Sequence, residues 1–171
     1  AGLGVLTAPL SKLCRHLIAY EIDRKLIPAL AEVTRDCSNI EIRNEDILES
    51  RIANLESRNY AVVGNLPYYL TSRLLRFFLT AQYKPTRIVV MIQKEVGERI
   101  CAKPGEMSLL SVSVQFYGTP RIIARVSRNS FFPPPTVDSV ILEIASKEAS
   151  FAREKEELFF SFVKAGFGKK R

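Results

Sequence analysis

Short apolar runs alternate with stretches of helical spacing through the first half of this 171-residue chain, and that alternation admits few folds. Leu17-Ile18-Ala19-Tyr20 is an apolar strand ending at Glu21, Arg24 to Val33 has helical spacing, and Ile40 to Ile42 is a second strand. After a polar stretch, Tyr60-Ala61-Val62-Val63-Gly64 reads as a buried strand. Leu70 to Leu79 is expected to be helical, Arg87 to Ile92 a continuous apolar strand, and Lys94 to Ala102 a charged helix. Strands and helices in this order imply an α/β fold, a parallel sheet with crossover helices. Arg121 to Val126 and Ser139 to Ile144 alternate instead, on either side of Phe131-Phe132-Pro133-Pro134-Pro135, and predict an antiparallel pair at a sheet edge. From Phe151 to Phe167 the spacing is helical again, with a boundary at Ala149-Ser150. The expected organisation is a main domain over 1–148 and the start of a second over 149–171.

The feature that points to chemistry is Asn65-Leu66-Pro67-Tyr68-Tyr69, directly after a strand. An adenine N6 nitrogen is a poor nucleophile because its lone pair is delocalised into the ring. The Asn65 side-chain oxygen and the Leu66 carbonyl can both accept from that amino group, favouring tetrahedral geometry and freeing the lone pair. Pro67 biases Leu66 toward extended backbone, and Tyr68 offers a stacking face. The same five residues also suit a plain turn. Further along, a stiff proline loop can hold Phe131 as a second face for an extruded base. One of Phe131 and Phe132 is expected to pack into the core, and Phe131 is assigned to the site.

Cofactor signals lie nearer the start. Gly2 and Gly4 are spaced for a tight turn before a helix-like segment, where free N–H groups suit a nucleotide-like ligand. Glu21 lies 17 positions after Gly4, at a strand end where a carboxylate can accept both ribose hydroxyls. Asp46, in Asn44-Glu45-Asp46-Ile47, can accept from an adenine amino group. Each acid alone also reads as a loop residue or helix cap. At successive strand ends they describe an adenosine-bearing pocket, and without a full GxGxxG the reading favours S-adenosylmethionine over a dinucleotide.

Composition narrows the partners. A net charge of +7 suits a polyanion, with Arg121, Arg125 and Arg128 recurring and Lys169-Lys170-Arg171 at the end. No apolar stretch approaches the roughly 20 residues of a membrane span. Cys14, Cys37 and Cys101 are far apart and read as reduced, buried thiols of a cytoplasmic protein. The single histidine, His16, has no partner at ligand spacing, so no metal is expected.

Taken together, these segments resemble the small-subunit ribosomal RNA adenine dimethyltransferases of the KsgA type. The resemblance rests on Gly2 to Thr7, Tyr20-Glu21-Ile22-Asp23, Glu45-Asp46-Ile47-Leu48, Gly64 to Tyr69, Gln93-Lys94-Glu95-Val96 and Phe131 to Ser139. It implies a Rossmann-like S-adenosylmethionine-dependent methyltransferase fold, mostly parallel with an antiparallel edge pair, followed by the start of a helical RNA-binding domain. Gly2, Gly4, Glu21, Asp46, Ile47 and Asn65 would contact the methyl donor. Asn65, Leu66, Pro67, Tyr68 and Phe131 would hold the target adenine. The implied reaction is N6 dimethylation of two adjacent adenosines near the 3′ end of small-subunit rRNA, by a monomer acting on an immature subunit without metal or membrane.

Rival readings have discriminators. Erm-type methyltransferases share the donor fold but act on large-subunit rRNA, and Leu66 with Pro134 to Ser139 argues against them. DNA adenine methyltransferases usually carry an Asp-Pro-Pro-Tyr segment, which Asn65-Leu66 disfavours. A ribosome-assembly or transcription-associated RNA-binding factor with vestigial catalysis is opposed by Asn65 and Tyr68. Departures from the family pattern fall at Ser127-Arg128, at Gly97 in place of a usual alanine, and in a short Pro104 to Met107 loop; all bear on RNA contacts. The family's first strand, expected before Gly2 and central in its sheet, and most of its C-terminal helical domain lie outside this sequence. The segment alone is therefore expected to be unstable, with buried backbone groups left unpaired.

Overall fold

Pairing of the apolar runs builds two sheets in the computed structural model, which describes residues 1–50, 59–147 and 153–168. The chain divides into two compact units, Ala1–Asn54 and Leu55–Arg171.

In the first unit, β1 (Leu17–Tyr20) and β2 (Ile40–Arg43) are parallel, in register from Leu17 opposite Ile40 to Tyr20 opposite Arg43. The crossover carries α2 (Ile27–Val33), which begins three residues after the expected Arg24. Asp23 explains the delay: its carboxylate accepts from Lys25 N–H at 2.9 Å and its carbonyl from Leu26 N–H at 3.0 Å. That local turn competes with helix, and Pro28 in the first turn then presets helical φ. A short α1 (Thr7–Ser11) follows the glycine turn.

The second unit holds a four-stranded sheet in the order β3 (Ala61–Asn65), β4 (Arg87–Gln93), β6 (Ser139–Ser146), β5 (Gly118–Val126). β3 and β4 are parallel, while β6 runs antiparallel to both β4 and β5. β5 is outermost, and Pro120, which cannot donate to a ladder, sits on it. Ile88, Val90 and Ile92 of β4 and Val140, Leu142 and Ile144 of β6 are buried, as are Leu74, Leu75, Phe78 and Leu79 of α3 (Thr71–Leu79). Each fully buried aliphatic side chain contributes roughly 1.5–3 kcal/mol.

Helix α4 (Lys94–Ile100) follows β4 directly. Gly97 fits there for a packing reason, since a Cβ on it would lie 2.4 Å from Val140 Cγ2. The departure from the family's alanine thus falls at the α4–β6 contact. Helix α5 (Leu109–Tyr117) has no counterpart in the sequence expectations, because Leu110-Ser111-Val112-Ser113-Val114 alternates as a strand would. Its start is fixed by a reciprocal cap, Ser108 Oγ accepting from Ser111 N–H at 3.2 Å and Ser111 Oγ from Ser108 N–H at 3.0 Å. Helix α6 (Arg153–Gly168) stacks Phe159 on Phe116 at 4.8 Å and Phe160 on Tyr117 at 5.7 Å. The expected boundary at Ala149-Ser150, the helix's expected first residue Phe151, and the basic end Lys169-Lys170-Arg171 lie outside the described residues.

Candidate functional site

Asn65 ends β3 opposite Met91, and the ladder runs one step further through Leu66 N–H to Met91 O at 3.2 Å. Pro67 (φ −57°, ψ 129°) then leaves the sheet and opens a single 3₁₀ turn, Tyr68–Leu70, that feeds α3. A strand and a helix therefore fix the two ends of this five-residue segment. Within it, the Tyr68 hydroxyl meets the Ser139 hydroxyl at 2.9 Å, and Ser139 is fully buried at the start of β6. The ring of Tyr68 is held at its far end as well as at its backbone.

The proline loop enters the same cleft. Asn65, Leu66, Pro67, Tyr68, Phe131, Pro133 and Pro135 line an open cavity of about 360 Å³. All five residues expected to act on the adenine are thus brought together. Phe131 is half-buried, whereas Phe132 is 100% exposed, so neither ring enters the core. The expectation that one of the two packs inward is corrected. The loop's own hydrogen bonds and prolines determine its path. Ser127 O accepts from Ser130 N–H at 3.0 Å, and Asp138 Oδ1 accepts from Arg128 N–H at 3.0 Å. Asp138 O also accepts from Lys94 N–H at 2.9 Å, tying the loop to the start of α4. The backbone of Ser127 and Arg128 thus takes part in holding the loop.

On the other side of Asp138 a second open cleft of about 450 Å³ is lined by Lys94, Glu95, Glu98 and Arg128 among others. Its acids offset its cations. The same matching holds on β5, where Arg121 Nη2 lies 2.6 Å from Glu143 Oε2 and Arg125 Nη2 3.6 Å from Glu98 Oε1. The expected basic stripe is mostly internally paired.

In the first unit the glycine turn has the backbone its sequence required. Gly2 (φ +61°) and Gly4 (φ +84°) are both left-handed, a conformation that costs other residues about 1–2 kcal/mol. A Cβ on Gly4 would meet Leu30 Cδ1 at 3.0 Å, while one on Gly2 would project into open space. Glu21, 8% exposed, accepts from Gly2 N–H at 2.6 Å and from Asp23 N–H at 2.9 Å. Burial works against its charge, while the hydrogen bonds from the Asp23 and Gly2 N–H groups favour it. Asp46 Oδ1 accepts from Leu48 N–H at 2.9 Å, and the adjacent Ile47 is half-buried, its carbonyl accepting from Ser50 Oγ at 2.7 Å. Glu21 and Asp46 follow the C-terminal ends of neighbouring parallel strands, the usual place for ligands of open α/β sheets. Asn44 joins them, its side chain donating to Glu21 O at 2.8 Å. A glycine turn open on the Gly2 side and carboxylates on adjacent strand ends fit an adenosine-bearing donor.

The family model for ribosomal RNA adenine dimethylase matches residues 1–171. The chain belongs to this family. Ribosomal RNA small subunit methyltransferase A of Dehalococcoides mccartyi is 44% identical over 173 residues, 99% of this chain and 60% of that protein. The Clostridioides difficile protein of the same name is 38% identical, with 99% and 62% covered. The chain therefore spans about 60% of the length of the curated relatives it matches. Among solved structures, a dimethyladenosine transferase from Plasmodium falciparum superposes with a TM-score of 0.85 at 28% identity, covering 99% of this chain and 61% of that one. The 23S rRNA methyltransferase ErmE gives 0.83 at 28% identity, covering 98% and 67%. The Rossmann-like methyltransferase fold read from the sequence is the one these two solved structures share.

Several neighbours of the site escaped the sequence reading. Asp138 and Ser139 stand in the Val137-Asp138-Ser139 stretch that carried the family resemblance, yet their partners, Arg128 and Tyr68, are 10 and 71 positions away. Asn44 sits two residues before Asp46, in a segment where Asp46 and Ile47 were singled out. The remaining expectations fare unevenly. Cys14 is exposed, not buried, its thiol donating to Leu10 O at 3.2 Å at the end of α1. His16 lies on the surface, 3.6 Å from Glu41.

Proposed function

We propose that the full-length protein transfers methyl groups from S-adenosylmethionine to the N6 amino groups of two adjacent adenosines near the 3′ end of small-subunit rRNA. It does so as a cytoplasmic monomer acting on an immature subunit. The observation that carries this reading is the single cleft in which Asn65, Leu66 and Tyr68 meet Phe131. An amide and a backbone carbonyl beside two aromatic rings suit a planar base whose exocyclic amine must be reshaped.

The donor, when bound, supplies a methyl group on a sulfonium centre. Glu21, on its short strand-end loop, offers carboxylate oxygens to ribose hydroxyls, and Asp46 an acceptor to the adenosine amine. Gly2 and Gly4 let a ligand approach the backbone closely. Tyr68, fixed through Ser139, and Phe131, on the proline loop, sandwich the target base. Asn65 Oδ1 and the Leu66 carbonyl accept from its amino group and stabilise the positive charge that grows on nitrogen as it attacks. The proton leaves after the carbon–nitrogen bond forms, when the nitrogen is acidic. Alignment contributes more than acid–base chemistry.

The likeness to ErmE supports large-subunit rRNA as the competing substrate, and the higher identity to relatives named for the small subunit favours the small one. Incubating full-length protein with labelled donor and immature small or large subunits, then mapping the label, separates them. Dimethylated adenosines in small-subunit RNA are expected. Label confined to large-subunit RNA would establish the Erm-type reading, and RNA binding without label an assembly factor.

A further inference from the structure

Each of the two segments that line the cleft carries consecutive aromatic residues, and in each pair only one ring lines it. Tyr68 and Phe131 form the walls, while Tyr69 is 85% and Phe132 100% exposed. Phe132 is the sharper case. A wholly exposed phenyl ring forgoes the roughly 1.5–3 kcal/mol that burial would return. Its position is nonetheless well defined, on a loop of three successive prolines tied at its base by Asp138.

We infer that Phe132 is a stacking platform for the nucleotide next to the target adenosine, a contact outside the base pocket that rests on the function proposed above. Three observations select this occupant. Phe132 is the chain neighbour of Phe131, about 3.8 Å away along the backbone, so a base in the cleft brings its own neighbour close to Phe132. Extruding one base also uncovers a face of the next, and an aromatic ring is the sequence-tolerant partner for such a face. Finally, the stretch of loop leading to Phe131 is polar or basic and exposed, through Ser127, Arg128, Asn129 and Ser130, as a phosphate-bearing partner would require. A single projecting ring next to a polar and basic stretch matches one base better than it matches the contiguous apolar patch a protein partner would bring.

The test uses full-length protein and immature small subunits. Phe132→Ala is expected to raise KM for the subunit about tenfold, the range seen when a stacking ring is removed, with kcat and donor affinity within about twofold of the parent. Phe132→Trp should keep the parental KM, and Phe132→Leu should resemble Phe132→Ala. A Leu variant equal to the parent, or a Trp variant as weak as Ala, overturns the stacking role. Phe132→p-benzoylphenylalanine, irradiated on the subunit, should cross-link to the RNA beside the dimethylated adenosines. Cross-links to a ribosomal protein, or none, also overturn it. If the parent protein itself labels no small-subunit adenosine, the function proposed above has failed; normal labelling with unchanged KM in Phe132→Ala removes only the platform.

Discussion

The hydroxyls of Tyr68 and Ser139, 71 positions apart in sequence, meet at 2.9 Å and join the segment after β3 to the start of β6. Ser139 ends the proline loop that carries Phe131, so one hydrogen bond coordinates both walls of the cleft. Tyr68→Phe and Ser139→Ala should each lower stability by about 1 kcal/mol. The double variant should lose clearly less than the sum, because either change already removes the shared bond. Denaturant unfolding of the four proteins measures the cycle. Strict additivity would show that the two hydroxyls act independently.

Asn65 separates chemistry from binding. Asn65→Ala is expected to reduce methyl transfer by about a hundredfold or more, the scale of losing one fixed polar contact to a developing charge. RNA affinity should stay within about twofold, since Asn65 is exposed and holds no described structural contact beyond its ladder. Single-turnover rates beside filter binding give the comparison. Equal losses in both would mark Asn65 as a structural residue.

Gly97 predicts a size-dependent clash. Gly97→Ala puts a methyl group 2.4 Å from Val140 Cγ2, and overpacking of this kind costs about 1–3 kcal/mol. Combining it with Val140→Ala should leave the pair more stable than the two separate losses imply, because the second change clears the space. Thermal melts of the single and double variants check the sign of that coupling.

Glu143 gives a pH test. It bridges Arg121 at 2.6 Å and Arg87 at 3.0 Å, and the Arg121 hydrogen bond above all, with the Arg87 charge, holds its carboxyl below the usual range. A depressed folded-state value stabilises above the ordinary carboxylate value of 4.5 and is lost as pH falls below it. The melting-temperature gap between parent and Glu143→Gln should therefore be larger at neutral pH than well below 4.5. A gap that did not change with pH would remove the ion pairs as its cause.

Continuous apolar runs were the easiest elements to read: β1 has the bounds expected of it, and β4 extends one residue further. Local hydrogen bonding hid two helix starts. Asp23 held back the start of α2, and alternating serines disguised α5, whose cap uses serine where glutamate or glutamine would have been a clearer signal. In the cleft, four of the five adenine-side residues stand in adjacent positions, Asn65 to Tyr68, and the fifth, Phe131, is marked by the prolines that follow it. Ser139 and Asp138 were not, since their roles depend on partners that only folding brings near. The sequence could rank Phe131 above Phe132 for the cleft, but not foresee that both would stay out of the core.

The ion pairs on β5 change what the charge of this surface means. Arg121 and Arg125 already face Glu143 and Glu98, so that strand offers few free cations to displace the counterions condensed on an approaching polyanion. Its attachment there should depend on ionic strength more gently than a surplus of +7 suggests, and shape, more than charge, would then decide where it settles.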